Sequence, residues 1–193
     1  MLECLNFQTL PTSALSKVYL ESERLVLRSI LETDAPDVYR EFTVDVTKYM
    51  LSKPPEIIED TLAFICACRQ GMAKQQEIVC SILDKRDNNF LGCCGLHARQ
   101  NWPEPELGIW IRAGAHGHGF GREAVHTLAG WGFAQLRTDY LFYPVDRENH
   151  PSRAIAESLN GVVFAEKKVP TQRGTWLNEV VYRIPRPNGS AVL

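Results

Sequence analysis

The stretch "IWIRAGAHGHGFGREAVHTLAGW" (109–131) sets Gly117, Gly119 and Gly121 around His116 and His118, then turns helical. A strand end, a glycine cluster and a helix start follow one another without a break. Three readings compete: a phosphate cradle, a metal site, or a glycine-rich turn with solvated histidines. A dinucleotide fingerprint needs its third glycine at 122, where Arg122 stands, and should open a parallel sheet. A Walker loop needs a Gly-Lys-Ser/Thr ending that is absent. Zinc needs more ligands than His116 and His118, with nearby Cys or carboxylates in register, and His97 and His126 are unassigned extras, so on ligand count no metal is expected. The ordinary turn stays open. The remaining physical reading is that small residues leave backbone N–H groups bare at a helix N-terminus. Four donors lack partners there and the dipole favours anions, which makes a pyrophosphate seat.

Outward from that stretch, the composition is ordinary. The 193 residues are 45% hydrophobic and 23% charged, with 21 basic and 23 acidic side chains and a net charge of −2. A chain of this length buries a full core unaided, and one domain over 1–193 is expected, with its core at about 18–185 and flexible tails. The charge balance argues against direct nucleic-acid binding. No apolar run reaches membrane-span length, and the N-terminus has no secretory pattern. The six cysteines form no C-x-x-C pair and read as small buried apolar residues of a reducing compartment, so a cytoplasmic protein is expected.

Upstream of the glycines, "VYLESERLVLRSI" (18–30) reads as a first strand. A helix follows over 31–42, with Thr33 as N-cap and Pro36 in its first turn. A second helix, 56–74, repeats Ile57, Ile58, Leu62, Ile65 and Cys66 at helical spacing. Residues 77–84 and 89–98 flank "KRDNN" as a hairpin, and "ELGIWIR" is a further strand. Downstream lie a helix over 122–136 with Ala124, Val125, Leu128 and Phe133 inward, and a buried strand over 139–146. A capped helix follows over 148–161, and strands 162–169 and 177–185 close the chain as a hairpin. The expected class is α+β: about seven strands in one mixed, mostly antiparallel sheet, flanked by about four helices.

"HGHGFG" (116–121) resembles the acyl-CoA pyrophosphate loop, Q/R-x-x-G-x-G/A, of the GNAT N-acetyltransferase superfamily. Gly119 and Gly121 match, and His116 stands at the Gln/Arg position. "VDRENHPSRAIAESLNGVVF" (145–164) resembles the second signature, N-x-x-S in a short helix, through Asn149 and Ser152. "ELGIWI" is similar to the strand whose splayed end receives the pantetheine arm. The opening "SERLVLRSILETDAPDVYREF" also resembles the family's, in its RimJ/RimL branch. The resemblance covers roughly 18–185.

It implies acetyl-CoA as cosubstrate and a primary amine as acceptor, either a polypeptide N-terminus or a small molecule, with direct attack on the thioester. Cofactor contacts would come from Ile111, His116, Gly117, His118, Gly119, Phe120, Gly121, Asn149 and Ser152. A backbone N–H near Ile111 would polarise the carbonyl, and Asn149 would hold the pantetheine amides. Many members carry a tyrosine four residues beyond the serine as acid to the leaving thiolate. Ala156 stands there in this chain, and Ser152 is the candidate acid. Glu106 is the candidate base, with Glu104 and His97 in reserve. Trp102 and Trp176, in the loops 99–106 and 171–176, are candidates to line an acceptor pocket. A homodimer is left open. The alternative function is an acyl-CoA-binding module without catalysis.

Overall fold

A computed structural model describes residues 2–9, 14–99 and 102–187. The chain builds an eight-stranded sheet in the order β1-β2-β3-β4-β5-β6-β8-β7. The strands are β1 (Tyr19–Glu21), β2 (Leu25–Ser29), β3 (Glu77–Asp84), β4 (Phe90–His97), β5 (Glu106–Ile111), β6 (Tyr140–Asp146), β7 (Val162–Pro170) and β8 (Trp176–Pro185). The helices are α1 (Ala35–Glu41), α2 (Val44–Thr47), α3 (Ile58–Ala73), α4 (Phe120–Gln135) and α5 (His150–Ser158). Every neighbouring pair is antiparallel except β5 and β6. The expected α+β class, with a mixed and mostly antiparallel sheet, is the observed one.

The extra strand comes from dividing the run at 18–30. Ser22 turns the chain, its Oγ accepting the Leu25 N–H at 3.1 Å, so β1 folds back on β2. The extra helix is the single turn α2, which carried no periodic signal. The first helix begins later than expected. Asp34, not Thr33, takes the N-cap position of α1, after a short 3-10 turn over Glu32–Asp34. The buried face of α3 also differs from the expected one. Thr61, Ile65, Cys68 and Met72 face inward, while Ile57 (54% exposed) and Leu62 lie outside. Ile57 precedes the helix as its N-cap, so it cannot share the helical stripe.

Helix α4 seats on the other side of the sheet as its spacing predicts, with Ala124, Val125, Leu128 and Phe133 buried. Each such side chain contributes roughly 1–3 kcal/mol of burial. A Cβ at Gly132 would come within 2.8 Å of Leu96 Cδ1, so glycine is what lets α4 press onto β4. Cys80, Cys93 and Cys94 sit in the same core, and burial pushes the Cys80 thiol up to about 12.

Outside the expected core limits, Leu5 and Leu15 are buried and Phe7 bridges to Leu136. Arg186 donates to the carbonyls of Thr138 and Leu136. The remainder of the C-terminal tail, 188–193, lies outside the described residues.

One buried ion pair ties β2, β3 and the start of α1 together. Asp34, 5% exposed, receives both arms of Arg28 (2.6 and 2.8 Å), the Ser81 hydroxyl (2.6 Å) and the Leu31 N–H (2.9 Å). Burial alone would raise its pKa, but these donors outweigh burial and hold the carboxyl below its ordinary value. A depressed carboxylate adds stability above its unfolded pKa of about 3.9 and loses it as pH falls through the folded value. Asp34→Asn should therefore cost about 2–4 kcal/mol in urea unfolding near neutral pH. It should also flatten the loss of stability that the parent protein shows below about pH 4.

Candidate active site

The glycine loop is built by its own histidines. After β5 the chain passes Arg112 and a 3-10 turn at Ala113–Ala115, then reaches His116. The His116 Nε2–H donates back to the Ile111 carbonyl at 2.7 Å, and the His118 Nδ1–H donates to the His116 carbonyl at 2.8 Å. The His118 ring lies near-parallel to Phe120, centroids 5.9 Å apart. Gly117 and Gly119 take φ of 78° and 77°, left-handed conformations that side chains resist. Gly119 is also the N-cap of α4, and no side chain caps that helix. The first-turn N–H groups at Phe120, Gly121 and Arg122 are thus left for a ligand.

A second element, absent from the sequence reading, fixes this loop. Glu123, in the first turn of α4, accepts the Ser22 hydroxyl (2.6 Å), the Arg24 N–H (2.8 Å) and the Arg24 Nε–H (2.7 Å). Burial would raise Glu123, but these donors hold it below its usual value. Arg24 also donates to the His118 carbonyl at 3.0 Å and covers the Phe120 ring at 4.7 Å. Its Nη2 would lie 3.5 Å from a Cβ added at Gly119. Arg112, where the loop begins, keeps a buried Nε–H without a protein partner. An anion at this helix terminus meets bare amides with guanidinium groups close by, so the residues present fit a pyrophosphate.

The sheet opens beside the loop. β5 and β6 share one register pair, Glu106 with Phe142, and no ladder beyond it. The Phe142 N–H reaches the Pro105 carbonyl, while the Arg112 N–H turns the opposite way, to Leu91 in the β4 direction. By strand alternation, the backbone groups of Ile109 and Ile111 face the gap. His116 takes the Ile111 carbonyl there. A cleft of about 670 Å³ occupies the gap, between β5, the glycine loop, α2 and the start of α5. Asn149 caps α5, its Oδ1 accepting the Ser152 N–H at 3.3 Å, which leaves its amide NH2 unused by the cap. Ser152 lines the cleft and shares a 2.8 Å hydrogen bond with the buried Tyr143 hydroxyl.

Ile111, His116, Gly117, Gly119, Phe120, Gly121, Asn149 and Ser152 therefore line one cleft. His118 does not line it and supports the loop instead. Glu106 stands outside the cleft, at the closed end of the splay, accepting the Trp102 indole N–H at 2.9 Å with Arg99 3.8 Å away. Among the reserves, His97 is paired with Glu77 at 2.6 Å. Trp102 packs on Phe142 and under Lys167, away from the cleft, and Trp176 is 65% exposed. Gln100 and Asn101 of that first loop lie outside the described residues. Ala156, where a tyrosine is common, is fully buried in the core.

One aromatic of β5 joins the cleft to a further cavity. Trp110 lines the cleft and also a second cavity of about 500 Å³, between α1, the approach to α3 and the β7–β8 turn. Phe42 and Phe64 supply its apolar wall, Asp60 and Gln172 its polar one, and Thr61 adds a buried hydroxyl without a partner. Among the described residues no group of three or more His, Cys, Asp or Glu is placed to hold a metal ion.

Residues 24–162 match the model of the acetyltransferase (GNAT) domain. An uncharacterized N-acetyltransferase of Bacillus licheniformis, p20, is 31% identical over 144 residues, covering 73% of this chain and 80% of that protein. The uncharacterized N-acetyltransferase YoaA of Bacillus subtilis (strain 168) is 26% identical over 174 residues, covering 87% and 97%. In fold, the chain is similar to RimL, the ribosomal L7/L12 α-N-protein acetyltransferase, solved with coenzyme A. The TM-score is 0.76 at 15% identity, over 87% of this chain and 98% of that one. With the glycine loop, the splayed strands and the matched domain in agreement, the chain belongs to the GNAT acetyltransferase family.

Proposed function

We propose that the protein transfers the acetyl group of acetyl-CoA to a primary amine by direct attack on the thioester. The observation that carries this reading is the splay of β5 from β6, opening beside a left-handed glycine turn that heads α4. Acetyl-CoA supplies the acetyl group already activated as a thioester. The N–H groups of Phe120, Gly121 and Arg122 would hold its pyrophosphate, with Arg24 beside them. The backbone N–H of Ile111, facing the gap, would polarise the acyl carbonyl, and the free amide NH2 of Asn149 would orient the pantetheine. His116 serves the loop through its bond to Ile111 rather than as a copy of the usual Gln/Arg. Ser152 is assigned to the leaving sulfur and Glu106 to the amine proton, reached through water.

The cavity that meets the cleft at Trp110 is the seat we assign to the acceptor. RimL's named acceptor is a protein α-amine, and a polypeptide N-terminus or a small-molecule amine fits this seat. Among the described residues no helix is long and apolar enough to cross a membrane. Six free cysteines suit the cytoplasm, where we place the protein. The alternative, an acyl-CoA-binding module without turnover, is favoured by one observation: Glu106 is engaged by Trp102 and Arg99 outside the cleft.

Calorimetric titration with acetyl-CoA tests the cosubstrate. Gly119→Glu places a carboxylate and a Cβ in the anion seat and should abolish binding, whereas unchanged affinity would sink the assignment. Thiol release with a panel of amines and peptides tests turnover, and binding without release would favour the module. Glu106→Gln should lower turnover by about 100-fold or more with acetyl-CoA affinity nearly unchanged. Normal turnover in that variant hands the base role to another group.

A further inference from the structure

The Ser152 hydroxyl has one protein partner among the described residues, the hydroxyl of Tyr143 at 2.8 Å, and Tyr143 has no other. The two environments differ. Tyr143 is 2% exposed on β6, and its ring is surrounded by the core. Ser152 lines the cleft, where a ligand or water can accept its hydrogen. If Ser152 were the donor, the phenol hydrogen would be buried with no acceptor, an arrangement that costs about 1–3 kcal/mol. If Tyr143 is the donor, both hydrogens are served. Resting on the acetyltransferase reading above, we infer that Tyr143 is a positioning residue: its O–H donates to Ser152 Oγ and so turns the Ser152 O–H into the cleft, toward the departing sulfur.

Burial keeps the phenol neutral, pushed up to about 12, so the donor persists through any working pH. The electron balance is simple. The amine nitrogen forms the C–N bond, the C–S pair leaves on sulfur, and the amine proton passes by way of the base to solvent. Sulfur leaves as a thiolate stabilised by the Ser152 hydrogen bond and picks up, from solvent, the equivalent of the proton that the amine gave up. Tyr143 thus acts through Ser152, one residue removed from the reacting atoms.

The experiment uses Tyr143→Phe, Ser152→Ala and the double variant, with thermal unfolding and steady-state kinetics read together. Ser152→Ala leaves the phenol unpaired and should lower Tm by about 2–6 °C. In the Tyr143→Phe background the same change should leave Tm nearly unmoved. Tyr143→Phe should lower kcat roughly tenfold with KM for acetyl-CoA unchanged, and should add nothing once Ser152 is alanine. Additive effects on kcat or Tm, or full turnover in Tyr143→Phe, would overturn the inference. Should Tyr143→Phe fail to fold, a fluorinated tyrosine at 143 keeps the shape and lowers the phenol pKa. An alkaline fall of kcat that the parent does not show in its working range should then appear, and a profile identical to the parent's overturns the inference. A parent protein that releases no thiol with any amine would sink the acetyltransferase reading itself. Turnover indifferent to Tyr143 sinks only its role.

Discussion

The arrangement depends on how little β5 and β6 touch. Because α4 crosses between them, β6 must return parallel to β5, the only parallel neighbours in the sheet. Parallel strands normally continue their ladder, yet here the contact ends at Glu106 and Phe142. Beyond that pair, backbone groups that would otherwise bond to a neighbour face a gap. The gap persists because each strand is secured on its far side, β5 along β4 and β6 along β8. The long β7–β8 hairpin stiffens the second half of the sheet, so the strands cannot simply zip together.

Electrostatics hold the mouth of that gap. Glu123 belongs to the first turn of α4, where a carboxylate already meets a favourable dipole. By gathering Ser22 and Arg24 from the β1–β2 turn, it fastens the outer hairpin of the sheet to the helix that begins the anion seat. Arg24 then touches the loop through His118 and Phe120. Most of the Glu123 charge is answered within the protein, while Arg24 stays half exposed, with a side-chain exposure of 44%. The guanidinium thus keeps an exposed edge beside the loop while it stays tethered to Glu123 and His118.

Much of this was legible from residues. Glycines between an apolar strand and an amphipathic helix announce bare amides, and Asn149 with Ser152 three residues on announces a capped helix. Both readings rest on local chemistry that a sequence carries directly. The expected face of α3 differs from the observed one because Ile57 precedes the helix as its N-cap and Leu62 and Cys66 lie on its exposed side. Arg24 and Glu123 are far apart in the chain, and no spacing rule joins a turn residue to a distant helix start. Tyr143 resembled any core aromatic on a buried strand, and only the fold brings its hydroxyl to Ser152. Glu106 illustrates the reverse: its place before the splayed strand was readable, but its capture by Trp102 was not.

Trp110 borders both the cleft and the second cavity. Its indole packs at tilted angles against Phe42 and Phe90, centroids 5.0 and 5.7 Å away, which hold it as a fixed wall rather than a swinging gate. Two ligands arriving in the two cavities would meet across it without competing for space. If acetyl-CoA and an amine are those ligands, as proposed, both would be present together before the acetyl group moves. On that proposal the protein would need no acetylated side chain to carry the group from one ligand to the other.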